Sequence, residues 1–597
     1  MRQFTTRPEL QGTFGMVAST HWLATAGGMA VLEKGGNAFD AAVAMGFILQ
    51  VVEPHLNGPG GDMPAIVYDA TSGETRVICG QGTAPAGLTI EHVRGLGLDM
   101  IPGTGHLAPC VPGAFGGWLL MLQQYGTMRL RDVLQYAIGY AEEGYPVIQQ
   151  IADMVASVED LFKEHWPTSA DVYFGRGAPK WGELFRNPDL AATYRRILSE
   201  AETAGGGREA EIEAARRAYY EGFVAEAIDR FVRFSDVMDV SGSTHRAVLR
   251  GSDLAAWRAS IEPTLSRRYR NFEVHKTPAW GQGPVFLQQL ALLEGFDVSG
   301  AGFLSADHIH QVIEGAKLAY ADREAWYGDV AGVPMDDLLS REYSEARRGL
   351  IAPHASDRLR PGEPGGRQPR LPAFALTALD ISDRESPASA AGIGDPTIVD
   401  RHRGDTCHLD VIDRHGNMVA ATPSGGWLQS NPVIPGLGFP LGTRAQIFNL
   451  EPGLPNALAP GKRPRTTLSP SLAFRDGEPY LAFGTPGADA QDQWTFNFFV
   501  AHADFHLNLQ EAIDAPNFSI QHFPNSFYPH QSLPARVSVE DRVAPEVIDE
   551  LRSRGHDVQV LGPWTQGRIS AAANDRRRGL LLAAANPRGM YGYAAGR

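Results

Sequence analysis

Positive charge is scarce in this sequence: 53 Lys and Arg stand against 68 Asp and Glu, a formal charge of −15 at pH 7 over 597 residues. That balance argues against a general role in gripping nucleic acid or an anionic membrane, which needs an excess of cations. Cysteine is nearly absent, and Cys79, Cys110 and Cys407 share no metal-ligand spacing and make no disulfide framework. No apolar run is long enough to span a bilayer, and the opening MRQFTTRPELQGTFGMV lacks the apolar centre of a signal peptide. A reducing cytoplasm is the expected location. Neither a dinucleotide fingerprint nor a GxxxxGK[ST] phosphate loop occurs, so glycine runs such as NGPGGD argue only weakly for a nucleotide. His402, His408 and His415 form no zinc spacing, and no metal or cofactor is expected.

What is present suits a globular enzyme. Hydrophobic residues make up 43%, and 66 Gly with 41 Pro imply many tight turns and close backbone approaches. His21 to Gly36 reads as a helix stopped by Gly35-Gly36. Asn37 can cap a second helix from Ala38 to about Val52, whose AFDAAVAMGFILQVV is apolar all round and so reads as deeply buried. NGPGGD closes it, and MPAIVYDATSGETRVICG gives two short strands about a Ser-Gly turn. From about 115 to 350 the pattern is mainly helical, as in SADHIHQVIEGAKLAYADREAW, which starts at Ser305 and His308. Pro, Gly, Ser, Arg and Asp then dominate the stretch 351–405, which reads as a linker. After it come three hairpin patterns: CHLDVIDRHGNMVAAT, PSLAFRDGEPYLAFG and AAANDRRRGLLLAAANP. Helices before the linker and hairpins after it point to layered helix and sheet.

The end of the linker at Gly404-Asp405-Thr406 has two readings. It is an ordinary loop entering a strand, or the place where the chain makes its own catalytic group. A threonine hydroxyl needs a base within reach, and an N-terminal threonine carries one in its own α-amine, with an unperturbed pKa of roughly 7.7–8.0. That chemistry requires cleavage of the Asp405–Thr406 bond.

Ordered segments along nearly the whole chain carry a resemblance. They are GMVAST (15–20), LEKGGNAFDAAVA (32–44), VVEPHLNGPGGD (51–62), VPGAFGG (111–117), EGAKLAYADRE (314–324), GDTCHLDVIDRHGNMVAAT (404–422), KRPRTTLSPSLAF (462–474) and GTPG (484–487). Together they resemble the γ-glutamyltransferase family of N-terminal-nucleophile hydrolases, and within it the acylase and amidohydrolase branch. The resemblance implies an α/β fold, a four-layer αββα sandwich of two stacked antiparallel sheets flanked by helices. It further implies a precursor that cuts itself into a large piece, 1–405, and a small piece, 406–597, which stay intertwined; homo-oligomerisation is left open.

Carried over by position, the resemblance makes Thr406 the nucleophile, with Thr422 and Ser424 as hydroxyls that orient it. Gly487 and Ala488 supply the backbone N–H groups of an oxyanion hole, Ala488 standing where the family has glycine. Taken alone, GTPGAD is simply a turn after the strand YLAFG. Thr466 and Thr467 replace a serine pair that holds the substrate's α-carboxylate, and a Thr-Thr pair also suits a strand surface. The substrate positions depart further. Gln81 stands where an arginine clamps the α-carboxylate; Ile447 and Gly426 stand where an aspartate and an asparagine hold the α-ammonium. Arg444 is new, and is either a ligand for a substrate carboxylate or a surface residue bonded to an Asp or a carbonyl.

These residues imply an autoprocessed threonine amidohydrolase or acylase acting on a small-molecule amide through a covalent acyl-enzyme, with an acyl group other than standard γ-glutamyl. The alternatives are a glutathione hydrolase or γ-glutamyltransferase, and a non-catalytic protein that keeps the fold. Denaturing electrophoresis of the purified protein is expected to show two fragments, the smaller beginning at Thr406 by N-terminal sequencing; a stable single chain without amidase activity would remove the enzyme reading.

Overall fold

The computed structural model describes residues 4–376 and 406–597. The Asp405–Thr406 bond and most of the stretch before it lie outside the described residues.

Helix formation at the start follows local chemistry. His21 caps Trp22–Glu33, its ring accepting from the N–H of Leu23. Asn37 caps Ala38–Val52 in a reciprocal box with Asp40, and every residue of that helix is buried. Glu53 ends it, the glycine loop turns the chain, and Met63–Asp69 pairs with Glu74–Gly80 in an antiparallel hairpin. The three later hairpin patterns all form: Leu409–Asp413 with Met418–Ala421, Ser471–Arg475 with Glu478–Gly484, and Ser570–Asp575 with Leu580–Ala585. Asp476 and Gly477 both take positive φ, which fits the right-handed twist of the strands they join.

Two seven-stranded sheets result, with every neighbouring pair antiparallel. Sheet I runs Leu10–Gly12, Leu580–Ala585, Ser570–Asp575, Glu478–Gly484, Ser471–Arg475, Phe272–Lys276, Leu265–Tyr269. Sheet II runs Tyr593–Gly596, Gly15–Ser19, Leu409–Asp413, Met418–Ala421, Met63–Asp69, Glu74–Gly80, Ser260–Pro263. The mainly helical middle thus also supplies strands: Ser260–Pro263 to sheet II, and Leu265–Tyr269 with Phe272–Lys276 to sheet I.

Strand alternation sorts the side chains into layers. Met16, Ile66, Ile412, Met418 and Ala420 of sheet II meet Leu472, Ala482, Ala572 and Ala583 of sheet I in a thin layer between the sheets. Val17, Leu409, Val411, Val419 and Ala421 face the other way, onto the helices of the first third of the chain. On the far side of sheet I, Val274, Leu481, Phe483 and Ala573 pack against Pro284–Leu293, Ala306–Trp326 and Gln491–Ala503. The molecule is therefore a four-layer αββα sandwich, as the resemblance implied. Among the described residues no helix is long and apolar enough to cross a membrane.

Residues 351–372 hold almost no regular structure yet are tied to the body: Ala355 N–H donates to Arg554 O, Lys317 Nζ to Ser356 O, and Gly362 N–H to Asp322. The helix layer also contains a fully buried ion pair, Lys276 Nζ to Asp492 Oδ1 at 2.9 Å, supported by Ser469 and Ser471. Burial pulls the lysine down and pushes the carboxyl up, and each partner opposes the other's shift. Replacing one member strands the other in the core, so Lys276→Met is expected to cost about 3–5 kcal/mol of stability in denaturant unfolding.

Candidate active site

The strand register builds the site. Leu409 pairs with Ala421, and the ladder continues past both strand ends to an isolated bridge between Thr406 and Ser424. Alternation puts Cys407, Leu409 and Val411 into the helix-side core, so Thr406, His408 and Asp410 share the face between the sheets, as do Thr422 and Ser424 on the partner strand. Thr406 and Ser424 are completely buried, and Thr406 Oγ1 donates to Ser424 Oγ at 3.2 Å.

Behind this pair lies a polar network in the inter-sheet layer. His408 Nδ1 is 2.9 Å from Thr422 Oγ1, and its Nε2 is 2.9 Å from Asp410 Oδ1. Ser570 Oγ of sheet I donates to Asp410 Oδ2 at 2.7 Å. Burial pushes the Asp410 carboxyl up, against the opposing pull of His408 and Ser570. The imidazole has room because position 484 is glycine: a Cβ there would lie 2.2 Å from His408 Cε1.

Cys407, next to the candidate nucleophile, faces away from it. Its thiol is 3.0 Å from Glu53 Oε2, which also accepts from Thr20 Oγ1 at 2.6 Å. Burial raises the Glu53 carboxyl, and burial together with that neighbour raises the thiol well above the ordinary cysteine range. A thiol held protonated is not a nucleophile, so Cys407 is not a candidate for the reactive group of this strand.

The glycine loop at 57–62 has a steric purpose. A Cβ on Gly58 would stand 2.5 Å from Gly426 O, on Gly60 2.1 Å from Pro440 O, and on Gly61 2.1 Å from Ser424 O. Only a chain without side chains lies this close to the segment after Ser424. Asp62 then exchanges two backbone bonds with Ser424, at 2.8 and 3.0 Å, and sends its carboxylate to Arg444 Nε at 3.0 and 3.1 Å.

Beyond Gly484 the chain turns through Gly487, φ 130°, and Ala488, φ 47°. Ala488 holds a left-handed conformation with a side chain attached, a cost of roughly 1–2 kcal/mol that the surroundings must offset. Gln282 Nε2 donates to Ala488 O at 3.4 Å, and Asp489 accepts from Ser526 N–H and Oγ at 2.7 and 2.6 Å and from a buried Arg323. Among the described residues, neither the Gly487 nor the Ala488 N–H donates to a protein acceptor. Two such donors on one rigid turn suit an oxyanion.

The remaining sequence candidates fall into place as follows. Gln81 is buried, its Nε2 donating to Pro464 O. Thr466 and Thr467 are buried in the segment that Thr466 links to Trp280 and Gln282, so they are interior residues and not a strand surface. Ile447 packs with Trp427, Ala488 and Phe527. Arg444 is interior too, 4% exposed and bonded to Asp62. Sequence reasoning did not single out Asp62, Asp410, Arg323, Asp489, Trp427 or Phe527. Asp62, Asp410, Arg323 and Asp489 sit inside the segments NGPGGD, GDTCHLDVIDRHGNMVAAT, EGAKLAYADRE and GTPGAD, and a charged residue among apolar or glycine neighbours was the available signal.

Comparison with known proteins is consistent along the chain. A family model described as gamma-glutamyltranspeptidase matches residues 24–596. A solved structure described as LmbA2991HD is 56% identical with TM-score 0.94, all of each chain being covered. The cephalosporin acylase from Bacillus halodurans is 29% identical with TM-score 0.81, over 100% of this chain and 98% of that one. The oxamate amidohydrolase proenzyme of Klebsiella pneumoniae is 30% identical over 594 residues, 98% of each chain.

Ser424→Ala removes the oxygen that accepts from Thr406 Oγ1. It is expected to slow self-cleavage, followed by gel after synthesis, by about 10²-fold, the scale of one lost orienting or proton-handling group. Ser424→Thr keeps the oxygen and is expected to stay within severalfold of the unaltered protein.

Proposed function

The chain belongs to the gamma-glutamyltranspeptidase family of N-terminal-nucleophile hydrolases, and from that premise we propose that it is an amidohydrolase that releases Thr406 by self-cleavage and uses it as the nucleophile. The observation that carries this reading is the register that sets Thr406 Oγ1 3.2 Å from Ser424 Oγ, while the Gly487–Ala488 turn follows the strand whose last residue, Gly484, lies against His408. The relative named as a proenzyme supports the processing step.

In this mechanism the α-amine of Thr406, freed by cleavage, takes the proton of Oγ1 while Ser424 fixes the hydroxyl's direction. Oγ1 attacks the amide carbonyl, and the N–H groups of Gly487 and Ala488 receive the oxyanion. The C–N bond breaks, the amine leaves with the proton from the Thr406 amine, and an ester joins the acyl group to Thr406. Water, deprotonated by the same amine, hydrolyses that ester and restores the hydroxyl. Charge develops in a dry site, where the two fixed N–H donors act more strongly than they would in water.

Amides of a γ-glutamyl group fit this site less well, because Ile447 and Gly426 offer nothing to an ammonium. The buried carboxylates beside them, Asp62 and Asp489, are already bonded to Arg444 and to Arg323 with Ser526. Leaving an ammonium without a partner there would be costly.

Thr406→Ala is expected to abolish both self-cleavage and acyl-enzyme formation by intact-mass spectrometry. In the mature protein the acylation rate is expected to rise about tenfold per pH unit and to level off near pH 8, the ordinary range of an α-amine. A rate independent of pH between 6 and 8 would remove the amine as base.

A further inference from the structure

We propose that Asp410 acts through His408 as a positioning residue. The row Ser570–Asp410–His408–Thr422 fixes the direction of the Thr422 hydroxyl and ties the strand of Thr406 to the strand that runs into the Gly487–Ala488 turn. The inference rests on the self-cleaving amidohydrolase reading and adds what holds the two sides of that site together.

All four side chains are completely buried, and their three contacts are 2.7, 2.9 and 2.9 Å long. Asp410 accepts from Ser570 on Oδ2 and faces His408 Nε2 with Oδ1. A carboxylate only accepts, so a neutral imidazole beside it carries its proton on Nε2 and leaves Nδ1 to accept. Thr422 then gives its one hydroxyl proton to Nδ1. It stands diagonally from Thr406 on the shared face, because Thr406 lies opposite Ser424. With its proton committed to the ring, Thr422 offers only lone pairs to that corner. Without Asp410 the imidazole can hold its proton on either nitrogen, and the hydroxyl loses its fixed direction.

The same row crosses from one sheet to the other. Ser570 belongs to sheet I, where it pairs with Gly484, the last residue before the chain enters the Gly487–Ala488 turn. The His408 ring occupies the space that a side chain at 484 would need, a Cβ there lying 2.2 Å from Cε1. Elsewhere in this layer Met, Ile, Leu and Ala side chains pack together, and such contacts have no preferred direction. Three short hydrogen bonds do have one, and they join the strand of Thr406 to a residue hydrogen-bonded to the strand of the turn.

The test follows self-cleavage by gel after synthesis, which needs no substrate. Thr422→Val is expected to slow it about 10²-fold and Ser570→Ala about tenfold, the scale of an orienting hydroxyl and of one hydrogen bond. These residues stand on different sheets, so independent effects would multiply to about 10³-fold. Within one row either break frees the same hydroxyl, and the double variant is expected to stay within about twofold of Thr422→Val. Asp410→Leu keeps the volume but offers no acceptor, and is expected to slow cleavage about 10²-fold. Asp410→Asn restores an acceptor for Nε2–H and is expected to recover most of that loss. A double variant slowed by the product of the single effects, or full speed in Ser570→Ala, overturns the proposal and leaves the amidohydrolase reading intact. Should the Ser570 variants not fold, equal rates in Asp410→Asn and Asp410→Leu overturn it. Unaltered protein that never cleaves overturns both.

Discussion

The register of one antiparallel hairpin governs the site. With Leu409 opposite Ala421, Thr406 falls opposite Ser424 and His408 opposite Thr422. A slip of one residue would send Thr406 and His408 into the apolar helix-side core and bring Cys407 to the sheet interface. The register is pinned from both flanks: Gly15–Ser19 pairs with one strand and Met63–Asp69 with the other, and their alternating apolar faces bind into two different cores. Each fully buried Val, Leu or Ile favours the correct face by roughly 1.5–3 kcal/mol, so a slip would reverse many such contributions together.

Small residues make the polar part of this arrangement possible. Ala420, Ala482, Ala572 and Ala583 keep the inter-sheet layer thin, and Gly484 leaves the gap that the His408 ring fills. The glycine loop before Asp62 has the same role against the backbone at 424–426. Glycine here serves close approach. The Gly487–Ala488 turn takes the opposite solution, where a left-handed residue with a side chain is held by Gln282, Asp489, Ser526 and Arg323.

Legibility in the sequence tracked the range of the interactions. The cap at Asn37, the buried helix after it and all three late hairpins depend on neighbours within a few residues, and they read directly from period and turn chemistry. The strands at Ser260–Pro263 and Phe272–Lys276 were hidden because they pair with Arg76–Cys79 and Ser471–Arg475 across long separations, whereas the hairpin of Leu265–Tyr269 with Phe272–Lys276 is local and was missed in a stretch read as helical. Thr406 drew attention only as a threonine behind a linker, and the resemblance supplied its expected role. Arg444 looked equally like a surface residue, since nothing local shows that Asp62, Trp427 and Phe527 enclose it. The same holds for Arg323 and Lys276: a charged residue in a helix or strand looks solvated until its distant partner is known.

The way the chain is threaded bears on what unfolding would do. Leu10–Gly12 closes one edge of sheet I against Leu580–Ala585, and Gly15–Ser19 lies in sheet II between Tyr593–Gly596 and Leu409–Asp413. Were the chain cut at Asp405–Thr406, as proposed above, both sheets would be woven from two separate polypeptides. Before the cut, recovery from denaturation is a problem for one molecule searching its own contacts; afterwards it becomes an encounter between two, subject to dilution and to loss of either half. The cut form thus has a history that the intact form lacks: its interleaving records that it folded once as a single thread, and its lifetime is set by how slowly it opens.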